Sequence, residues 1–254
     1  MRFPPLRPVL LTALLLALCT GLRAGPPFLT DDPEPVDLHH WEFYVFGTGD
    51  RTSDGDAISA PAIELNYGAL PNLQLHLVAP IANVSGPGVG WTSGFGDMEA
   101  GVKYRFVDET ADRPQVGVFP MAEVATGSST RGLGNGRTWY RLPLWIQKSW
   151  GPWTTYGGGG YAFNSAPGQR NYGFGGWLVQ RDIGKYLTLG TELWSQGADT
   201  TDGRGFVAAN VGGYVKVSDN FNILFSAGHT ISGERHILWY LGLYWTWGPE
   251  EPGR

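Results

Sequence analysis

The chain has 254 residues, is 42% hydrophobic but only 16% charged, and carries 38 glycines and 11 tryptophans. Charged residues make up about a quarter of an ordinary soluble domain and glycine about 7%, so this composition points to a glycine-tolerant sheet with much aromatic surface. A formal net charge of −5 removes any electrostatic basis for holding nucleic acid, and mean hydropathy of −0.16 means that residence in a membrane has to come from alternation, not from long apolar runs.

Residues 1–24 have the form of a secretory signal. Arg2 and Arg7 precede an uncharged stretch from Pro8 to Leu22, and Arg23-Ala24-Gly25 follows with a small residue at the expected cut. The single cysteine, Cys19, lies inside this segment, so the processed chain has no thiol chemistry. Removing Arg2, Arg7 and Arg23 takes the net charge from −5 to −8. Residues 25–38 are proline-rich and acidic, and read as an extended periplasmic segment that either tethers the fold or plugs it from below. The tail spans 248–254.

Between 39 and 247 the chain breaks into about twelve alternating runs, predicted near 40–49, 57–68, 73–84, 95–106, 115–126, 139–150, 153–164, 172–182, 186–196, 206–217, 221–231 and 237–247. The run 96–106 fixes the phase. Met98, Ala100, Val102, Tyr104 and Phe106 fall on one face, with Asp97, Glu99, Lys103 and Arg105 on the other. Turning Lys103 or Arg105 toward lipid would cost about 2–4 kcal/mol each near the bilayer midplane, so the charged face looks inward. Short connections at 69–72, 151–152, 184–185 and 219–220 alternate with longer ones at 50–56, 85–94, 127–138, 165–171 and 198–205; 107–114 and 232–236 break the rule. This predicts an all-β, transmembrane, antiparallel up-and-down β-barrel of about twelve strands with both termini periplasmic. Trp41, Tyr67, Phe106, Trp150, Trp153, Tyr186, Phe221 and Trp247 at the short turns, and Trp139, Tyr172, Phe206 and Trp239 at the long loops, are read as two interfacial girdles.

Four stretches carry a resemblance: Gly-Pro-Pro-Phe-Leu-Thr-Asp-Asp-Pro-Glu-Pro-Val at 25–36, Phe-Gly-Asp-Met-Glu-Ala-Gly-Val-Lys-Tyr-Arg-Phe at 95–106, Leu-Pro-Leu-Trp-Ile-Gln-Lys-Ser-Trp-Gly-Pro-Trp at 142–153 and Trp-Thr-Thr-Tyr-Gly-Gly-Gly-Gly-Tyr at 153–161. Together they resemble the bacterial outer-membrane family linked to the meta-pathway of phenol degradation. The resemblance implies a barrel in the outer membrane that moves small molecules, aromatic or hydrophobic ones among them, with no catalytic residues.

The inward phase nominates Glu42, Glu64, His76, Asp97, Glu99, Lys103, Arg105, Glu123, Arg141 and Glu192 as lumen-lining residues, with Asn66, Gln74, Gln147, Asn210, Lys216 and Asn222 beside them. They serve either as paired wall residues, Glu99 with Arg105 and Glu123 with Arg141, or as a charged constriction that filters solutes. The expected function is a channel passing small molecules by passive diffusion. A non-conducting structural or surface-interaction barrel and an outer-membrane hydrolase are the alternatives. For the hydrolase no Gly-x-Ser-x-Gly element is present, and Ser226 and His229 fall on opposite faces. Gly157–Gly160 lacks the lysine and helix of a phosphate loop and reads as room for a bulky neighbour or for strand curvature. No cofactor and no metal site is expected. The expected partners are outer-membrane lipids, a small-molecule solute and the barrel-assembly machinery.

Overall fold

The computed structural model describes residues 26–249; the predicted signal segment and the last five residues lie outside them. Twelve antiparallel strands form one closed ring: β1 (Trp41–Thr52), β2 (Gly55–Leu70), β3 (Leu73–Gly86), β4 in two pieces (Val89–Phe95 and Met98–Val107), β5 in two pieces (Gln115–Val118 and Met121–Val124), β6 (Trp139–Trp150), β7 (Trp153–Phe163), β8 (Tyr172–Ile183), β9 (Leu187–Gln196), β10 (Phe206–Ser218), β11 (Phe221–Gly233) and β12 (Ile237–Trp247). Each pairs with its sequence neighbours, and β12 closes on β1 in unbroken register from Trp41↔Trp247 to Arg51↔Ile237. Closure pairs the strand edges from within, as a hydrocarbon environment demands, except along Val89–Phe95, which pairs with β3 alone among the described residues. No described helix is long and apolar enough to cross a membrane.

The alternation sorts side chains as its period requires. Along β9, Thr188, Glu192 and Trp194 are buried, whereas Leu189 and Leu193 face outward. Leu75, Leu77, Leu142, Leu144, Val211 and Leu241 are likewise exposed on the outer wall, while Glu42, Glu64, Lys103 and Glu192 are nearly inaccessible inside. A soluble barrel has the reverse arrangement, and so large an apolar exterior belongs in lipid.

Two predicted runs are interrupted. The run 95–106 starts earlier, at Val89, and breaks at Gly96–Asp97; the run 115–126 breaks at Phe119–Pro120, where proline has no N–H to give the ladder. Phe119 turns into the lumen there and is 3% exposed. Two predicted loops shrink to tight hairpins, because β1 and β2 run to Thr52 and Gly55, and the second piece of the 85–94 stretch is strand. Only the connections after β5, β7 and β9 stay long at that end.

Three of the four aromatics assigned to the long-loop girdle are corrected by the structure. Trp139, Tyr172 and Phe206 face the lumen, since Trp139 shares its face with Arg141, Tyr172 with Phe174, and Phe206 with Ala208 and Asn210. Their place on the outer wall is taken by Trp91, Phe95, Tyr140, Tyr161 and Phe163, which join Trp239. The Gly157–Gly160 run does make room for bulk: a Cβ at Gly157 would lie 2.3 Å from the Trp177 ring, and one at Gly158 3.0 Å from that of Trp145.

Candidate functional site

Residues 26–38 run inside the barrel and are held by its wall. Leu38 bridges Gly68 at the short-turn end, and a Cβ on Gly68 would meet the Asp37 carbonyl oxygen at 2.0 Å, so only glycine admits the chain there. From that point the segment climbs. The Val36 amide donates to Gln74 Oε1 at 2.9 Å, and the Glu34 carboxylate accepts from Gln115 Nε2 at 3.2 Å and Gln147 Nε2 at 3.1 Å. Lys103 Nζ lies 2.9 Å from Asp31 Oδ1 and 3.6 Å from Asp32 Oδ1. Higher still, Glu192 accepts the amides of Leu29 and Thr30, and Ser226 Oγ donates to the Pro27 carbonyl at 2.6 Å. Gly176 is the second position where the wall must lack a side chain: a Cβ would lie 2.1 Å from Thr30 Oγ1. The acidic, proline-rich stretch is therefore a seated plug and not a solvated tether. Its prolines keep it extended and spare it amide donors that the wall would otherwise have to satisfy.

Beside the plug, a belt of polar groups crosses strands β12, β1, β2, β3, β4 and β6. Tyr244 and Tyr44 hydroxyls donate to the two oxygens of Glu42, at 2.7 and 3.1 Å. Asn66 Nδ2 donates to Glu64 at 2.9 Å, and His76 lies between Asn66 Oδ1 at 2.7 Å and Glu99 Oε1 at 2.9 Å. Arg141 donates to the other oxygen of Glu99 and stands 3.9 Å from Glu123. Such charges are tolerated at membrane depth because each meets a partner or lumen water.

All ten nominated residues thus lie on the inner wall, but with different duties. The expected pairing of Glu99 with Arg105 is corrected: six residues apart on one strand, they are separated by roughly 20 Å. Arg105 instead reaches Asp108 at 3.0 Å, Gln115 and Asn72. Glu192 and Lys103 hold the plug. Asp97 holds a loop: its oxygens accept the amides of Gly127 at 2.8 Å and Asn135 at 2.6 Å, folding the 125–138 connection onto the barrel mouth, where Leu133 is buried. That loop lies along the first piece of β4, whose only strand partner is β3, and Arg131 donates to the Ser93 carbonyl at 2.9 Å.

The plug divides the lumen. Toward the long-loop end lies a chamber of about 560 Å³ whose floor is Pro27, Phe28 and Leu29 and whose walls include Trp139, Tyr172 and Phe206. On the other side, about 150 Å³ remains among Glu42, Glu64, Glu99, Lys103, Phe119 and Trp145. At the rim His236 Nδ1 is 2.8 Å from Asp50 Oδ2 and its ring packs on Phe206 with centroids 3.9 Å apart. Partial burial works against the imidazolium, but the Asp50 hydrogen bond and charge, with Glu234 and Asp199 beyond, outweigh it and raise the His236 pKa above the ordinary histidine value. The Ser226 hydroxyl is committed to the plug and His229 faces outward, bonded to the Thr230 carbonyl, so the two form no catalytic pair.

Sequence reasoning missed Gln115, Ser226 and the lumenal aromatics. Their signal was parity: Trp139 is two residues from Arg141, and Phe206 four from Asn210.

No family model matches the sequence, and no curated protein matches it either. Among solved structures, an outer-membrane channel from Pseudomonas putida F1 superposes with a TM-score of 0.69 at 16% identity, covering 85% of this chain and 97% of that one. The fold is that of an outer-membrane barrel. The NanC porin, with a TM-score of 0.53 at 10% identity over 80% of this chain and 98% of that one, has a similar fold. So does the translocator domain of the autotransporter NalP from Neisseria meningitidis, with a TM-score of 0.52 at 12% identity over 81% of this chain and 88% of that one.

Proposed function

We propose that this chain is a bacterial outer-membrane channel that passes small molecules by passive diffusion, with its short-turn end and both termini in the periplasm. One observation carries the reading: the lumen is filled by a segment that is not part of the wall. Residues 26–37 touch the barrel through side-chain and single-amide contacts, so they can leave without breaking a strand pair. A barrel whose only task were structural has no need of a removable filling. The likeness of fold to a channel from Pseudomonas putida F1 agrees with this. Aromatic or hydrophobic solutes are the class suggested by the family resemblance, and phenol is the natural probe.

The test is single-channel conductance of the processed chain in a planar bilayer, with and without residues 26–37 and with and without phenol. Discrete steps that grow when the segment is deleted, and that phenol modulates in the intact chain, support the reading. A correctly folded, segment-deleted barrel that carries neither current nor solute in liposome-swelling assays would overturn it, and the non-conducting surface barrel would then stand.

A further inference from the structure

The upper chamber differs from the rest of the lumen in the sign of its charge. The barrel has lysines and arginines at lower levels, but neither Lys nor Arg lines the chamber of about 560 Å³, whereas Asp50, Asp97, Glu123 and Asp199 all do. Two of these acids are already committed. Asp97 is satisfied by loop amides, and Asp50 by His236. The other two are less occupied. No hydrogen bond among the described residues reaches the Glu123 carboxylate, whose nearest cation, Arg141 at 3.9 Å, is bonded to Glu99 instead. Among the described residues the Asp199 carboxylate accepts a hydrogen bond from the side-chain amide of Gln196 alone, at 3.1 Å.

The same chamber has an aromatic wall. Tyr172 lines it together with Trp139, Glu123 and Asp199. Its ring neighbours Trp139 with centroids 6.5 Å apart and Phe174 at 6.3 Å, and Phe174 in turn stacks on Trp194 at 5.6 Å. Asn210, 3% exposed and lining the same chamber, keeps its Oδ1 without a donor, so the lining has acceptors to spare. The protein's own cations show what this combination holds. At the chamber's base, Arg141 lies over the Trp139 ring at 5.4 Å with a carboxylate beside it; at the rim, His236 lies on Phe206 with Asp50 beside it. An aromatic face plus a carboxylate is the arrangement that binds an organic cation.

We propose that the chamber wall formed by Glu123, Asp199, Trp139 and Tyr172 is a binding site for small organic cations, an ammonium group attached to an apolar body. The inference deepens the channel reading by naming a solute class for its outer chamber. The ammonium sits between the two carboxylates against the aromatic faces, and its apolar part reaches the floor of Phe28 and Leu29. Because the guanidinium of Arg141 below is bonded to Glu99, neither Glu123 nor Asp199 has a cation hydrogen-bonded to it among the described residues.

Calorimetry on the folded full-length processed chain in detergent tests this, using phenyltrimethylammonium, its neutral isostere tert-butylbenzene and the anion benzenesulfonate. The cation is expected to bind at least about tenfold more tightly than either competitor. Glu123→Gln should weaken it several-fold, and Glu123→Gln combined with Asp199→Asn should remove the preference. Equal affinity for the neutral isostere, or a preference that survives in the double variant, would overturn the proposal. Should Glu123→Gln fail to fold by heat-modifiable gel mobility, Asp199→Asn alone, on a loop, carries the same comparison. Binding, in a protein whose segment-deleted form carries neither current nor solute, leaves the site standing and removes the channel reading; passage of current or solute without cation preference does the reverse.

Discussion

Lys103, 4% exposed on β4, reaches Asp31 of the plug at 2.9 Å and Asp32 at 3.6 Å, so one cation on the wall answers two acids on the segment. Asp32 is fully inaccessible, and its carboxylate is met by that lysine and by the Glu34 amide, which donates to Oδ1 at 2.6 Å. Breaking a buried ion pair from one side costs about 3–5 kcal/mol, because the abandoned charge remains.

Lys103→Met should therefore expel the plug. The expected result is a larger and noisier conductance than that of the unaltered chain, and chymotrypsin should cut within residues 26–38, after Phe28 or Leu29. Adding Asp31→Asn and Asp32→Asn to the same variant should reseat the segment. A Lys103→Met barrel with unaltered conductance would show that the amide contacts alone suffice.

At the other anchor, Glu192 is 1% exposed and takes the amides of Leu29 and Thr30 with a charged acceptor. Glu192→Gln keeps the shape and removes the charge, at a cost of about 1–2 kcal/mol to the seated state. Hydrogen exchange at the Leu29 and Thr30 amides should then accelerate roughly 5–30-fold, with exchange in β9 unchanged. Equal protection in both proteins would remove Glu192 from the set of anchors.

Asp97→Ala leaves the Gly127 and Asn135 amides without their acceptor. The 125–138 loop should lift from the mouth, and trypsin should cleave after Arg131 and Arg137 much faster than in the unaltered protein. The heat-modifiable mobility of the barrel should be retained. Unchanged cleavage rates would assign the loop's position to Leu133 packing alone.

The raised pKa of His236 gives the rim contact a pH dependence with a definite sign. The protonated form is favoured in the folded state, so the stabilisation is complete below the ordinary histidine pKa and is lost as pH rises through the higher folded value. A side-chain NMR titration should find His236 above its ordinary range, and Asp50→Asn should move it down. If Asp50→Asn leaves the titration where it was, burial and the more distant acids set it.

Leu144 is exposed midway along β6 on the outer wall. Leu144→Arg should destabilise the lipid-embedded barrel by about 2–4 kcal/mol in equilibrium unfolding from bilayers. A neutral outcome would place this wall away from lipid.

The barrel was legible because one property, period-2 alternation, is local: each strand declares its own inner face, and Lys103 and Arg105 set the absolute phase for all of them. The partners of those inner residues were not legible. Glu99 meets His76 from the neighbouring β3 and Arg141 from β6, one strand beyond β5, and the register that brings them together is visible only after closure. The choice between plug and tether for residues 25–38 was not legible either, because an extended segment with no period has no face to read, and its fit depends on absences in the wall at Gly68 and Gly176. The inward Trp139, Tyr172 and Phe206 were misassigned for a different reason: aromatics at strand ends satisfy both an interface and a lumen, and only parity separates the two.

The bridge from Leu38 to Gly68 means that the plug is tied to the wall just beyond its last seated residue. Its detachment and return are consequently events within a single molecule, governed by an effective concentration in the millimolar range for a tether so short. Diluting the protein cannot shift that balance, and a free peptide of the same sequence would have to be supplied at comparable concentration to compete. Occupancy of the lumen is thereby an intrinsic constant of each barrel, independent of how many copies the membrane carries.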